Sequence, residues 1–280
     1  MDARREIGDF LQTRRARIQP EEAGLPAFGE RRRVPGLRRE EVAMLSGISV
    51  EYYTRLERGN VGDVSDSVLD GLARALQLNQ AETSHLENLV TAANTTRSAT
   101  PDSDQGVGRG LHVVLDSVTH AAAFLRNHRL DVLANNALAR ALYLPLLEAP
   151  TEPPNLARLV FLDERSTVFY ADWQQIADDA VGSLRIATGR FPEDEYLMSL
   201  IDELSRRSDE FQSRWETHHV EEYRSGQQHF RHPEVGELVL LYEAFELVSD
   251  PTVVMIVYCP KPGSVWEARF KSLNETIFDK

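Results

Sequence analysis

Apolar residues recur at helical spacing through the first third of the chain. In IGDFLQTRRARI, Ile7, Phe10, Leu11 and Ile18 share one stripe, and Arg14, Arg15 and Arg17 lie towards another. That spacing predicts an amphipathic helix. A turn-rich stretch follows, carrying Pro20, Gly24, Pro26, Gly29, Pro35 and Gly36. RREEVAMLSG then reads as a short helix closed by Gly47, and SVEYYTRLERG as a second, with Ser49 as N-cap and Gly59 just past its end. Two further amphipathic helices are predicted in SDSVLDGLARALQL (stripe Leu69, Leu72, Ala73, Leu76) and NQAETSHLENLVTAA (stripe Leu86, Leu89, Val90).

The pattern changes after residue 94. TTRSATPDSDQGVGRG, residues 95–110, is small, polar and Gly-rich and reads as a linker. Its G-V-G-R-G has no strand before it, so a phosphate loop is disfavoured. Beyond it, AAFLRNHRLDVLANN predicts two strands with a turn near Asn127–His128. NALARALYLPLL, ADWQQIADDAVGSLRIATGR, EDEYLMSLIDELSRRS and DEFQSRWETHHV predict helices. QQHFRHPEVGELVLLYEAFELV predicts a hairpin around Pro233–Gly236, and TVVMIVYCP a last strand. The expected fold class is an all-α helix-turn-helix domain over residues 1–94, then an α+β domain over 111–280 with helices on one face of an antiparallel sheet.

Charge sharpens this division. The net charge is −13, yet residues 1–60 hold 12 basic residues, all arginine, against 10 acidic ones. That head is at +2 and the remainder at −15. An acidic body repels a polyanion, so contact with nucleic acid falls to the head. The 280 residues allow two domains, and the single cysteine, Cys259, excludes an internal disulfide. With no apolar run of membrane length and no signal-like N-terminus, a cytoplasmic protein without a membrane partner is expected.

Two helices joined by a short Gly-containing turn describe a helix-turn-helix. Val42 and Leu45 face inward, Ala43 admits a close crossing, Ile48 fills the angle, and Leu56 anchors the second helix. Ser49, Val50, Glu51, Tyr53, Thr54, Arg55 and Arg58 remain as candidates for contact with double-stranded DNA. Val50 suits a thymine methyl and Glu51 a cytosine amino group. Arg38 and Arg39, opening the first helix, are expected phosphate clamps, with Arg14, Arg15, Arg17 and Arg31–Arg33 as further phosphate candidates. Half-site logic predicts a homodimer.

RRRVPGLRREEVAMLSGISVEYYTRLERG resembles the helix-turn-helix of Xre/Cro-like transcriptional regulators, in particular the actinobacterial MmyB-like branch. Similarity continues through SDSVLDGLARALQLNQAETSHL. It returns in RLDVLANNALARALY, NLARLVFLD, YADWQQIADDAVGSLR and HFRHPEVGELVLLYEAF, which resemble that family's ligand-binding domain. The resemblance implies a PAS-like sensor domain holding a small effector, a fatty acid or another amphipathic metabolite. Phe124, Val132, Leu133, Phe161, Trp173, Phe211, Trp215, Tyr242 and Phe245 are candidates for an apolar lining, and Asn135, Asn136, His219 and His232 for polar groups that orient the ligand.

Other chemistries find little support. His218–His219 and His229-x-x-His232 lack the companions of a tetrahedral metal set. No G-x-S-x-G, H-E-x-x-H or Walker loop is present, so no catalytic residue is expected. The alternatives to a regulator are an adaptor using the helical head for protein partners and an enzyme fused to a DNA-binding head.

Overall fold

The structure, a computed structural model, describes residues 3–25, 36–62, 64–94, 108–147, 154–218, 220 and 224–278. In chain order the elements are α1 (Ala3–Arg17), α2 (Arg39–Ser46), α3 (Val50–Glu57), α4 (Asp66–Ala75), α5 (Gln80–Asn94), α6 (Arg109–Ser117), β1 (Ala122–Asn127) and β2 (Val132–Asn135). Next come α7 (Ala137–Leu147), α8 (Leu156–Leu162), α9 (Arg165–Phe169), α10 (Trp173–Arg190), α11 (Glu195–Arg207) and α12 (Asp209–Glu216). The chain closes with β3 (Ser225–His232), β4 (Gly236–Leu247), β5 (Asp250–Pro260) and α13 (Val265–Phe278). The chain divides into two compact units. One comprises Met1–Thr100, Arg185–Met198 and Trp215–Glu221; the other comprises Pro101–Leu184, Ser199–Arg214 and Glu222–Lys280.

In the first unit the predicted apolar stripes meet in one core. Ile7, Phe10 and Leu11 pack with Val42, Ala43, Tyr53, Leu56, Leu72, Leu86 and Leu89. Helix α4 passes so close to α2 that a methyl group on Gly71 would lie 2.4 Å from the Ser46 carbonyl oxygen, a distance no side chain tolerates. The first unit also draws on Arg185–Met198 and Trp215–Glu221, far along the chain, which the head predicted at residues 1–94 omits.

The second unit is a five-stranded antiparallel sheet of order β2-β1-β5-β4-β3. Phe124 pairs with Ile256, Ala244 with Ile256, Tyr242 with Tyr258 and Gln228 with Leu240. Because side chains alternate along each strand, these registers put Phe124, Arg126, Ile256, Tyr258, Tyr242 and Gln228 on one face. That face and α7, α8, α9, α10 and α13 enclose the larger core. The opposite face is covered by α6 through Leu115, which packs with Ala123, Leu125 and Val253.

Four elements escape the sequence reading: α6, α8, α9 and α13. The first begins inside the expected linker, with Gly108 as its N-cap and Arg109 as its first residue. Residues 95–107 of that linker lie outside the described residues, as do Arg31–Arg33 and His219.

Candidate DNA interface and ligand cavity

Local chemistry shapes the helix pair at the head. Gly47 closes α2 at φ 72°, the left-handed conformation that glycine adopts without strain. The chain then turns, and the Ser49 hydroxyl accepts a 3.1 Å hydrogen bond from the Tyr52 N–H, capping α3. At the start of α2 the Arg38 N–H donates to Glu41 Oε2 at 2.6 Å, leaving the Arg38 side chain in solvent. Helix α3 buries Tyr53, Leu56 and Glu57 and turns Ser49, Val50, Glu51 and Arg55 outward; Arg58, just past its end, is also exposed. The Arg55 guanidinium lies over the Tyr52 ring, 5.2 Å from its centroid. A cation held this way is partly pre-ordered on the exposed face.

The candidate arginines separate into two kinds. Arg14 is buried, with Nε 2.8 Å from Glu82, its guanidinium 4.7 Å from the Phe10 ring centre, and a donated bond to the His218 carbonyl. Burial pulls its pKa down to about 10, against the upward pull of Glu82. Arg15 is buried too, donating to Glu57 at 2.6 Å and to the Leu37 carbonyl at 2.8 Å. Their expected role as phosphate contacts is therefore corrected: both hold α1 to its neighbours. Arg39 is intermediate, exposed yet paired with the same Glu57 carboxylate. Arg17 is exposed and donates to the Thr217 carbonyl at 3.1 Å. Arg38, Arg55 and Arg58 project from the surface as expected.

The tyrosine assignment is also corrected. Tyr53 is fully buried, and the partly exposed member of the pair is Tyr52. Burial raises the Tyr53 pKa, with Glu57 adding to the effect. Thr54 is partly exposed beside it.

The second unit contains a cavity of about 110 Å³ between the sheet and α10. Phe124 and Arg126 of β1, Gln228 of β3, Tyr242 of β4, and Ile256 and Tyr258 of β5 supply its floor. Ile176, Asp179, Ala180 and Ser183 of α10 supply the roof, and Leu130, Tyr143, Leu156, Val160 and Tyr170 the ends. Its polar groups are organised. The Tyr143 hydroxyl donates to the Tyr258 hydroxyl at 3.3 Å, and the latter donates to Gln228 Oε1 at 2.6 Å. Tyr170 lines the cavity as well and interacts electrostatically with Tyr143. Burial raises the pKa of all three phenols and lifts that of Tyr242 to about 12, so the hydroxyls stay protonated at neutral pH. Gly226 makes room for Tyr242, because a methyl there would lie 3.1 Å from the ring.

Of the predicted ligand residues, Phe124 and Tyr242 line this cavity. Asn135 borders a smaller hollow of about 10 Å³ beside Phe124 and Tyr143. Asn136 is corrected to a structural role. Its carbonyl accepts from the Ala123 and Ala139 N–H groups, and its amide donates to the Val118 and Ala121 carbonyls, which exhausts its ordinary capacity. His232 is corrected for the same reason: Nδ1 accepts from the Glu234 N–H and Nε2 reaches the Ala141 carbonyl, each at 3.2 Å. Burial lowers its pKa and keeps the ring neutral. Phe161, Trp173 and Phe211 form an aromatic wedge away from the cavity, with Phe161 and Phe211 centroids 5.1 Å apart and the Trp173 N–H donating to the Val160 carbonyl. Trp215 belongs to the first unit, its ring 4.0 Å from the Arg185 guanidinium carbon.

Sequence reasoning missed Tyr143, Tyr170, Tyr258, Gln228, Arg126 and Asp179. A signal existed for one of them: Arg126 is a charged residue in the otherwise mainly apolar strand AAFLRN. Among the described residues, no group of three His, Cys, Asp or Glu is arranged to hold a metal ion. No helix among them is long and apolar enough to cross a membrane.

Comparison with known families finds two matches along the chain. A helix-turn-helix domain family matches residues 6–86, and the family described as the MmyB-like transcription regulator ligand binding domain matches residues 107–273. No curated protein matches the chain significantly. A DNA-binding head and a ligand-binding body in one chain describe a transcription regulator, and the chain belongs to the MmyB-like family of such regulators.

Proposed function

We propose that the protein binds a specific operator as a homodimer and that a small effector in the second unit changes operator affinity. The observation that carries the reading is the outward face of α3. Ser49, Val50, Glu51 and Arg55, followed by Arg58, offer a methyl surface, acceptors and cations along one short helix, with Arg38 exposed at the start of α2. This suits a recognition helix in the major groove, with α2 against the backbone. The effector acts by its differential affinity for two arrangements of the heads in the dimer. Action on DNA places the protein in the cytoplasm, and the free thiol of Cys259 is compatible with that compartment.

Selection of duplexes from a random pool by the full-length protein, followed by fluorescence anisotropy, tests the reading. The selected duplex is expected to bind far more tightly than random DNA. Arg55→Ala is expected to weaken that binding about tenfold, as loss of a base or phosphate contact does. Affinity is also expected to fall steeply with added salt. Failure to enrich any sequence would favour the adaptor reading. Native mass spectrometry reports the dimer and any bound effector together.

A further inference from the structure

We infer that the cavity between the sheet and α10 takes a compact, uncharged molecule of about one ring that carries a hydroxyl or carbonyl oxygen, recognised by the Tyr143–Tyr258–Gln228 hydrogen-bond chain. The inference rests on the effector reading above and specifies its ligand.

Size is the first argument. The cavity measures about 110 Å³. An apolar protein cavity of about 150 Å³ accommodates benzene. One ring therefore nearly fills the space, with its substituent at the mouth.

Charge is the second. Arg126 and Asp179 both line the cavity, and both act electrostatically on Tyr258. A carboxylate drawn to Arg126 enters the field of Asp179, and an ammonium drawn to Asp179 meets Arg126. Neither ion gains a wall of one sign to offset its lost hydration, while a neutral solute has no such penalty.

Hydrogen bonding is the third. Tyr143, Tyr258 and Gln228 are nearly fully buried and linked hydroxyl to hydroxyl to amide oxygen. Each phenol oxygen keeps acceptor capacity, and the Gln228 amide carries two N–H donors. A ligand hydroxyl can both give to and take from this chain, and a ligand carbonyl can accept from the amide. Such convergent polar groups in an apolar cavity fix a ligand's orientation and select against analogues lacking the oxygen.

The test uses the purified full-length protein with p-cresol, toluene and dodecanoate as probes, followed by isothermal titration and ligand-observed NMR. Saturable p-cresol binding is expected, at least tenfold tighter than toluene. Tyr258→Phe and Gln228→Leu are each expected to erase most of that preference. Ala180→Leu, which fills the roof, is expected to abolish binding, and Ile176→Phe serves the same purpose should the first variant unfold by circular dichroism. Dodecanoate binding that Ala180→Leu blocks, without p-cresol binding, would overturn the ring class and leave the effector reading intact. Binding of neither probe would overturn the class as well. In that case native mass spectrometry decides the wider reading: a co-purified small molecule expelled by Ala180→Leu preserves it, and its absence from every preparation removes it.

Discussion

The first unit buries charge, whereas the second buries phenol. In the first, Glu6, Arg14, Arg15, Glu57, Glu82 and Arg185 are all nearly inaccessible and are joined in ion pairs. In the second, hydroxyl and amide groups of Tyr143, Tyr258 and Gln228 are linked beside the cavity, which Arg126 and Asp179 also line. The difference bears on what each can tolerate. A buried ion pair permits little variation, because either partner left alone is an uncompensated charge. A neutral hydroxyl left unpaired costs less than a buried charge left unpaired, and it can exchange partners with a ligand. The rigid arrangement presents a fixed helix, and the exchangeable one suits a sensor.

The sharpest way to break this contrast is at Arg185, whose guanidinium meets Glu6, His218 and the Trp215 carbonyl. Arg185→Met is expected to cost about 3–5 kcal/mol in urea denaturation, because Glu6 is left buried without its arginine. Adding Glu6→Gln should recover much of that loss. An unchanged midpoint for the single variant would show that the buried pair contributes nothing.

Acid should affect the first unit next most strongly. His85 is fully buried, and burial, then the charge of Arg185, lowers its pKa to about 3. Unfolded, the ring titrates near the ordinary 6.5, so between about 6.5 and 3 the unfolded chain binds the extra proton. Stability therefore falls as pH drops through that window, by on the order of 2 kcal/mol from pH 7 to 5. Burial alone would raise the Glu6 pKa, but the hydrogen bond from His218 and the charge of Arg185 hold it at about 2. Its contribution is present above 4.5 and is lost as pH falls from there towards 2. Denaturation at stepped pH, with His85→Leu as control, checks the upper window; the slope between 6.5 and 5 should flatten in the variant.

Tyr258→Phe probes the other side of the comparison. Removing one hydroxyl from the chain should cost about 1–3 kcal/mol, below the Arg185 effect. The smallest change is expected at Arg55. It is exposed, and its contact with the Tyr52 ring is a surface one, so Arg55→Ala should shift stability by less than about 0.5 kcal/mol while reducing operator affinity. Arg15→Met should do the reverse, losing stability through Glu57.

Much of the head was legible from its residues. Ser49 and Gly47 perform the capping and turning that their chemistry implies. The hairpin at Pro233–Gly236 and the strand TVVMIVYCP also appear where alternation placed them. Helix α8 did not stand out, because Leu156–Leu162 is too short and too uniformly apolar to show a period. Helix α6 was masked by its Gly-rich approach, and its outward Val113 and Val114 blur the apolar stripe.

Helix periods, caps, turns and the split of charge between head and body are properties of near neighbours in the chain, and the residues declare them unaided. Which arginines face solvent is a different kind of fact. Arg15 and Arg55 have the same side chain, and Glu57, 42 residues from Arg15, makes one of them scaffold. The cavity is still less local: Tyr143, Gln228 and Tyr258 come from three elements, and strand register together with α10 sets the space between them. Exposure and cavities depend on which distant surfaces pack together, and no short window of sequence carries that information.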